Sequence, residues 1–179
     1  MPLPAVALTW LAPPATSADS YALDIASAIL SQGESSRLYQ SLIYRQQIAQ
    51  DVSADDELRE DLGLYVITAT VASGKSPDAV LKAIDSELRD LEQKSVSASE
   101  LEKAKNQLIT DRLRRRETND GKAYAIGYDA TVLHDAEEVN NGLAKLQAVT
   151  AADVQRVVNK YIKDGKSLTI TYVSKGAAQ

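Results

Sequence analysis

Residues 5–11, AVALTWL, set Val6, Leu8 and Trp10 against Ala5, Ala7 and Thr9. That two-residue period belongs to a strand with one buried face. Pro13 and Pro14 end it. In TSADSYALDIASAILSQG the period lengthens: Ala18, Tyr21, Ala22, Ile25 and Ile29 recur at helical spacing. Thr16 or Ser17 is placed as N-cap with Asp19 in the first turn, and Gly33 stands where a helix-ending glycine belongs. A shorter helix is expected from Ser35 or Ser36, burying Leu38 and Leu42.

Two strand patterns follow, residues 48–54 (IAQDVSA) and 64–72 (LYVITATVA), separated by the acidic stretch DDELREDLG. They predict an antiparallel hairpin with a solvated loop. Ser76-Pro77 supplies N-cap and first helical residue for a helix with an apolar stripe of Val80, Ile84, Leu88 and Leu91. Ser97 and Glu100 form a capping box for the next helix, through Leu101, Ala104 and Leu108 and beyond, with a break expected around Asn119-Asp120-Gly121. Further helices are expected over roughly 122–133 and 136–147. Thr150 caps another, with Asp153 at its third residue, Val149 placed to staple onto Val154, and Val154, Val157, Val158 and Tyr161 on its buried face. Gly165 closes it, and SLTITYV (167–173) alternates as a last strand. Helices cluster between strands instead of alternating with them one for one. The expected fold is therefore α+β, a mostly antiparallel sheet covered on one face by helices.

Composition narrows the function classes more than it names one. The chain has 179 residues, enough for one domain with a real core at 44% hydrophobic residues. A net charge of −5 argues against a nucleic-acid or anionic-membrane partner, and no apolar run approaches a membrane span. There is no cysteine, so neither a thiolate nucleophile nor a cysteine zinc site is available. That absence suits the cytoplasm or a bacterial periplasm and decides neither. MPLPAVALTWL lacks the basic start and small-residue cleavage site of a signal peptide and enters a strand almost at once, as a piece of a longer protein would.

Little else in the chain is equipped for chemistry. ASGKSPD lies between a strand and a helix, but the first glycine of a phosphate loop would fall at Ala69, so a turn and an N-cap describe it better. His134 is the single histidine, too few for a self-contained zinc hydrolase, and reads as a surface or capping residue. The acidic residues Asp55, Asp56, Glu57, Glu60 and Asp61 lack the ligand spacing of a calcium loop and read as a solvated hairpin tip. Arg112, Arg115 and Arg116 share a helical face beside Asp111 and Glu117. They read as a solvated face with intrahelical ion pairs, or as an interface for an acidic partner domain or peptide carboxylate.

Three stretches carry a family resemblance. YALDIASAILSQGESSRLYQSL resembles the Asp-x-x-Ala…Leu-x-x-Gly…Ser-Ser-Arg-Leu-(Tyr/Phe) signature of the insulinase/pitrilysin/mitochondrial processing peptidase family of zinc metallopeptidases. SASELEKAKNQLI is similar to its Thr-x-x-Glu-Leu-x-x-Ala-Lys helix, and LAKLQAVTAADVQRVVNKYI to its Val-Thr-x-x-Asp-Val ending. Together they reach from about Ala5 to Val173. The resemblance implies clam-like enzymes of homologous α+β domains, the first carrying zinc on His-x-x-Glu-His plus a downstream Glu. This chain has no such motif. It resembles the second domain, which closes over peptide opposite the zinc, and residues 1–179 are expected to be one such inactive C-terminal-type domain.

In active members that second domain offers an Arg and a Tyr seven positions apart, whose donors hold a substrate carbonyl or developing oxyanion. Setting SLIYRQQIAQDVSA against that pattern puts Ile43 where Arg would stand and Gln50 where Tyr would stand. Isoleucine has no donor, and an amide does not replace a phenol. Arg45, two positions on, falls on another helix face. Arg37 and Tyr39 read as scaffold, the arginine pinning the loop before it. The implied function is a non-catalytic domain that encloses peptide substrate. Its implied partners are the zinc domain of the same parent and a homologous subunit carrying the Arg/Tyr pair, and zinc is expected in the parent only. The alternative is a pure scaffold, as in core subunits of respiratory complexes.

Overall fold

The computed structural model describes residues 3–173. Four strands, β1 (Ala5–Ala12), β2 (Ala49–Glu57), β3 (Gly63–Val71) and β4 (Ser167–Tyr172), form one antiparallel sheet in the order β2-β3-β1-β4. Helices α1 (Ser20–Ser31), α2 (Pro77–Gln93), α3 (Ala98–Arg115), α4 (Asn119–Val132), α5 (Glu138–Ala148) and α6 (Ala151–Val157) complete the domain with two π-helical segments, Tyr39–Arg45 and Val158–Lys163. The α+β expectation holds, and side-chain alternation shows how it is met. Val6 and Trp10 on β1, Tyr65, Ile67, Ala69 and Val71 on β3, and Val52 and Ala54 on β2 all point into the core. The α1 residues Leu23, Ile25 and Leu30 join them, with Ile84 and Leu91 of α2 and Val154 and Val157 of α6.

Several boundaries follow the caps in the sequence. Ser76 accepts the Asp78 N–H, and the Ser97–Glu100 and Thr150–Asp153 capping boxes are both formed. Gly33 adopts φ +79° just past α1, a conformation that side chains resist. Three expectations are corrected. The first helix starts at Ser20, because Ser17 spends its hydroxyl on the Asp19 N–H and Ala18 stays exposed. The hairpin strand runs on through Glu57, so Asp55, Asp56 and Glu57 belong to β2 and not to a loop. The break after α3 comes at 116–118, before Asn119. Thr118 caps α4 there, and a Cβ on Gly121 would lie 1.7 Å from the Arg115 carbonyl oxygen.

The turn before α1 is fastened to the end of the chain by one carboxylate. Asp19 accepts hydrogen bonds from Arg156 (2.6 Å), Lys160 (2.9 Å) and the Tyr161 hydroxyl (2.8 Å). Burial alone would raise its carboxyl, but the Lys160, Arg156 and Tyr161 hydrogen bonds outweigh it and hold the group at about 2. A depressed carboxyl adds stability above its unfolded pKa, and that stability fades as pH falls from near 4 toward 2. Urea melts of Asp19→Asn are therefore expected to show a deficit of about 2 kcal/mol at pH 7 that shrinks toward zero near pH 2. A deficit independent of pH would mean the carboxylate is not what holds these segments together.

Candidate functional site

Leu38 and Leu42 are fully buried and seat the π-helical segment on the core. Between them and the strand, the backbone leaves regular geometry at both positions singled out from the sequence. Ile43 lies in the widened turn, where the Gln46 N–H reaches back to the Ser41 carbonyl, and its side chain is partly buried against the core. Gln47 follows at φ +52°. Gln50 is exposed where the β2–β3 register slips between Ala49 and Asp51. A π turn and a bulge are devices that re-aim side chains. Here the residues at those irregularities are an isoleucine packed against the core and an exposed glutamine. Arg45, 62% exposed, turns to Glu87 at 3.4 Å.

Arg37 does other work than expected. It does not pin the loop before it but spans two helices, donating to both carboxylate oxygens of Glu100 at 2.9 and 3.2 Å and lying 3.5 Å from Asp90. The arginine hydrogen bond is the main reason that the Glu100 carboxyl is held below its ordinary range. Glu100 is also the capping-box acid of α3, so Arg37 ties the start of that helix to α2.

The second constellation is a cleft of about 1040 Å³ between α4 and the body, lined by α1, the β2–β3 turn, α3 and α4. Asp120, Tyr124, Tyr128 and Val132 on α4 face it, and Arg112, Arg115 and Arg116 line it from the end of α3. The expected intrahelical pairing does not form. Arg112 is ion-paired with Asp24 of α1 and stacks over Tyr21 at 5.1 Å, while Arg116 donates to the Val139 carbonyl. Asp111 accepts from Gln32 at 2.6 Å. Arg115 remains exposed on the rim. Tyr21 donates to Glu138, which Lys145 also bonds at 2.5 Å.

Beneath Arg112 two carboxyl groups meet. Val52, Ala54 and Asp56 occupy inward positions of β2, so the strand's last inward side chain is an acid beside Asp24. Burial raises Asp24, against the pull of Arg112. Burial and then the Asp24 charge drive Asp56 well above the carboxylate range. The two carboxyl groups therefore resist being charged together, and Arg112, ion-paired with Asp24, is the cation that offsets them. About 20 Å of strand separates this cluster from Gln50. The structure gathers the three arginines at one end of β2 and places Ile43 and Gln50 at the other.

His134 ends α4 at φ +55°, 61% exposed and 3.1 Å from Glu60. Among the described residues no group of three His, Cys, Asp or Glu side chains is placed to hold a metal ion. These residues do not fit a zinc centre.

The described peptidase M16 inactive domain matches residues 1–108. Zinc protease PqqE of Helicobacter pylori is 26% identical over 92% of this chain and 37% of its own length. Subunit 2 of the mitochondrial cytochrome b-c1 complex of Rattus norvegicus is 30% identical over 75% of this chain and 29% of its own length. The chain thus spans about a third of these curated relatives. A solved candidate zinc protease of Bordetella pertussis Tohama I superposes with a TM-score of 0.84 at 26% identity, covering 97% of this chain and 95% of that one.

Proposed function

The chain belongs to the family of peptidase M16 inactive domains, and from that premise we propose that it forms the non-catalytic half of a zinc metalloendopeptidase and encloses peptide opposite a zinc-bearing domain. The observation that carries this reading is the pairing of Ile43 and Gln50. Both sit on backbone irregularities suited to aiming side chains at a ligand, and neither supplies the donor that the family pattern places there. Such a wall shapes a chamber and excludes water, while donors for the oxyanion come from a partner subunit with the Arg/Tyr pair. Zinc, when bound in the parent's other domain, would supply Lewis-acid chemistry. The arginine-lined cleft, with Arg115 on its rim and Arg112 and Arg116 behind it, is the face proposed to pack against the partner domain.

The likeness to a cytochrome b-c1 subunit favours a second reading, a scaffold domain in an assembly without peptidase activity. One experiment separates them. Full-length parent is mixed with its homologous partner, zinc and a quenched peptide, and wild type is compared with Ile43→Arg/Gln50→Tyr. The expected result is cleavage by the wild-type mixture and none by the parent alone, with the double variant gaining activity without the partner. No cleavage by any combination would sink the peptidase reading and leave the scaffold.

A further inference from the structure

The cleft beside α4 is walled by residues between Ala15 and Glu138, at the end of the sheet where β2 turns into β3. Its lining carries seven acids against four arginines, a balance that favours a cation in the space they enclose. Two of the arginines are already committed: Arg112 is ion-paired with Asp24 over the Tyr21 ring, and Arg116 donates to the Val139 carbonyl. Asp56 lines the cleft too, yet among the described residues no cationic side chain is ion-paired with it. Nor is it an isolated surface charge. Ser27 stands one turn along α1 from Asp24, and Tyr65 stands directly across the strands from Asp56. The hydroxyls of both are buried with no hydrogen-bond partner, which is rare in a native core. Carboxyl and hydroxyl oxygens thus line the seam between α1 and the sheet inward from the cleft, and the two carboxyls have one cation between them.

We propose that this cleft receives a lysine side chain of the partner domain, its ammonium seated on Asp56 beside the Asp24–Arg112 pair. Arg112 already sets the pattern of recognition, a cation held by a carboxylate and a tyrosine ring. On the α4 side Tyr128 lies 3.5 Å from the carbonyl of Leu58, two residues on from Asp56, and Tyr124 stacks on Tyr128 at 6.3 Å. These rings offer aromatic faces to a second cation. Lysine suits the site better than arginine. Its compact ammonium directs three donors at acceptors spread over two elements, whereas a guanidinium fork is matched to a single carboxylate. Its apolar stem would lie along the tyrosines. The proposal rests on the reading of the cleft as a packing face and names what the partner inserts there.

The test uses the 179-residue chain without its partner. The probe is acetyl-Gly-Lys-Gly-amide, followed by NMR through the backbone amide shifts of Asp56, Tyr65 and Tyr128. Saturable shifts are expected in the millimolar range, with none from the norleucine peptide, which keeps the stem and lacks the ammonium, and weaker binding of the arginine peptide. Asp56→Asn preserves the shape of the side chain and is expected to weaken the lysine peptide about tenfold, the effect of losing one hydrogen bond to a charged group. Unchanged β3 shifts in the free variant show that it is folded. Equal shifts from the norleucine peptide, equally tight binding of the arginine peptide, unaltered binding to Asp56→Asn, or no saturable shift in the millimolar range would each overturn the proposal. Whether the cleft packs on the partner at all is read separately, from whether Arg115→Glu weakens the complex of parent and partner.

Discussion

Replacing Arg112 with alanine is expected to cost about 3 kcal/mol of folding stability at pH 7, near the lower end of the range for breaking a buried ion pair because both partners keep some exposure. The loss arises from what remains. Asp24 and Asp56 would share a half-buried site with no cation against them, and Tyr21 would lose the guanidinium stacked on its ring. The sign of the pH dependence follows. A carboxyl whose folded pKa lies above its unfolded one costs nothing below the unfolded value, and stability is lost as pH rises toward the folded value. Without Arg112 both carboxyls are pushed further up, so the deficit is expected to be small near pH 4 and to grow toward pH 7. Urea melts across that range check it, and adding Asp24→Asn to Arg112→Ala is expected to recover most of the loss at pH 7. A deficit that is the same at both ends of the range would assign Arg112 to packing alone.

That cluster also marks where sequence reading stops. The alternation of residues 5–11 gave β1 directly, since apolar side chains every second residue describe a half-buried strand, whereas the alternation of 167–173 gave β4 as a strand although its apolar residues Leu168, Ile170 and Tyr172 are exposed. Ser76, Ser97, Thr150 and Gly33 likewise fix helix ends through local hydrogen bonds or a local backbone conformation. Asp56 is inward in β2 by register, but an acid there ends the apolar alternation, so the pattern predicts a strand that stops at Ala54. Only tertiary partners, Asp24 and Arg112 from two different helices, make that burial tolerable, and no local pattern announces them. Arg37 is the same kind of case: its partners Asp90 and Glu100 lie more than fifty positions away. Leu38 and Leu42 have helical spacing in either geometry, so the pattern does not distinguish the π turn at 39–45 from an ordinary helix. The motif at Ile43 and Gln50 was legible by family pattern, while the irregular backbone beneath it was not.

Leu42→Ala is expected to cost about 3 kcal/mol, because its side chain is fully buried and its removal leaves a cavity where the segment meets the core. The effect should also be local in character. A π-helical stretch of seven residues has little stability of its own, and Leu38 and Leu42 are what fasten it down. In hydrogen exchange, the amides of Gln46 and Ile48, bonded to the Ser41 and Leu42 carbonyls, are therefore expected to lose protection before the β3 amides do. Tyr44→Ala, in the same segment but 70% exposed, is expected to stay within about 0.5 kcal/mol of wild type. Uniform loss of protection across the domain would mean the segment is part of the cooperative core and not a separately anchored unit. The distinction bears on the site itself: an arginine introduced at Ile43 aims its donors only as well as the neighbouring leucine holds the turn in place, so Leu42→Ala should also erase any activity gained by Ile43→Arg/Gln50→Tyr.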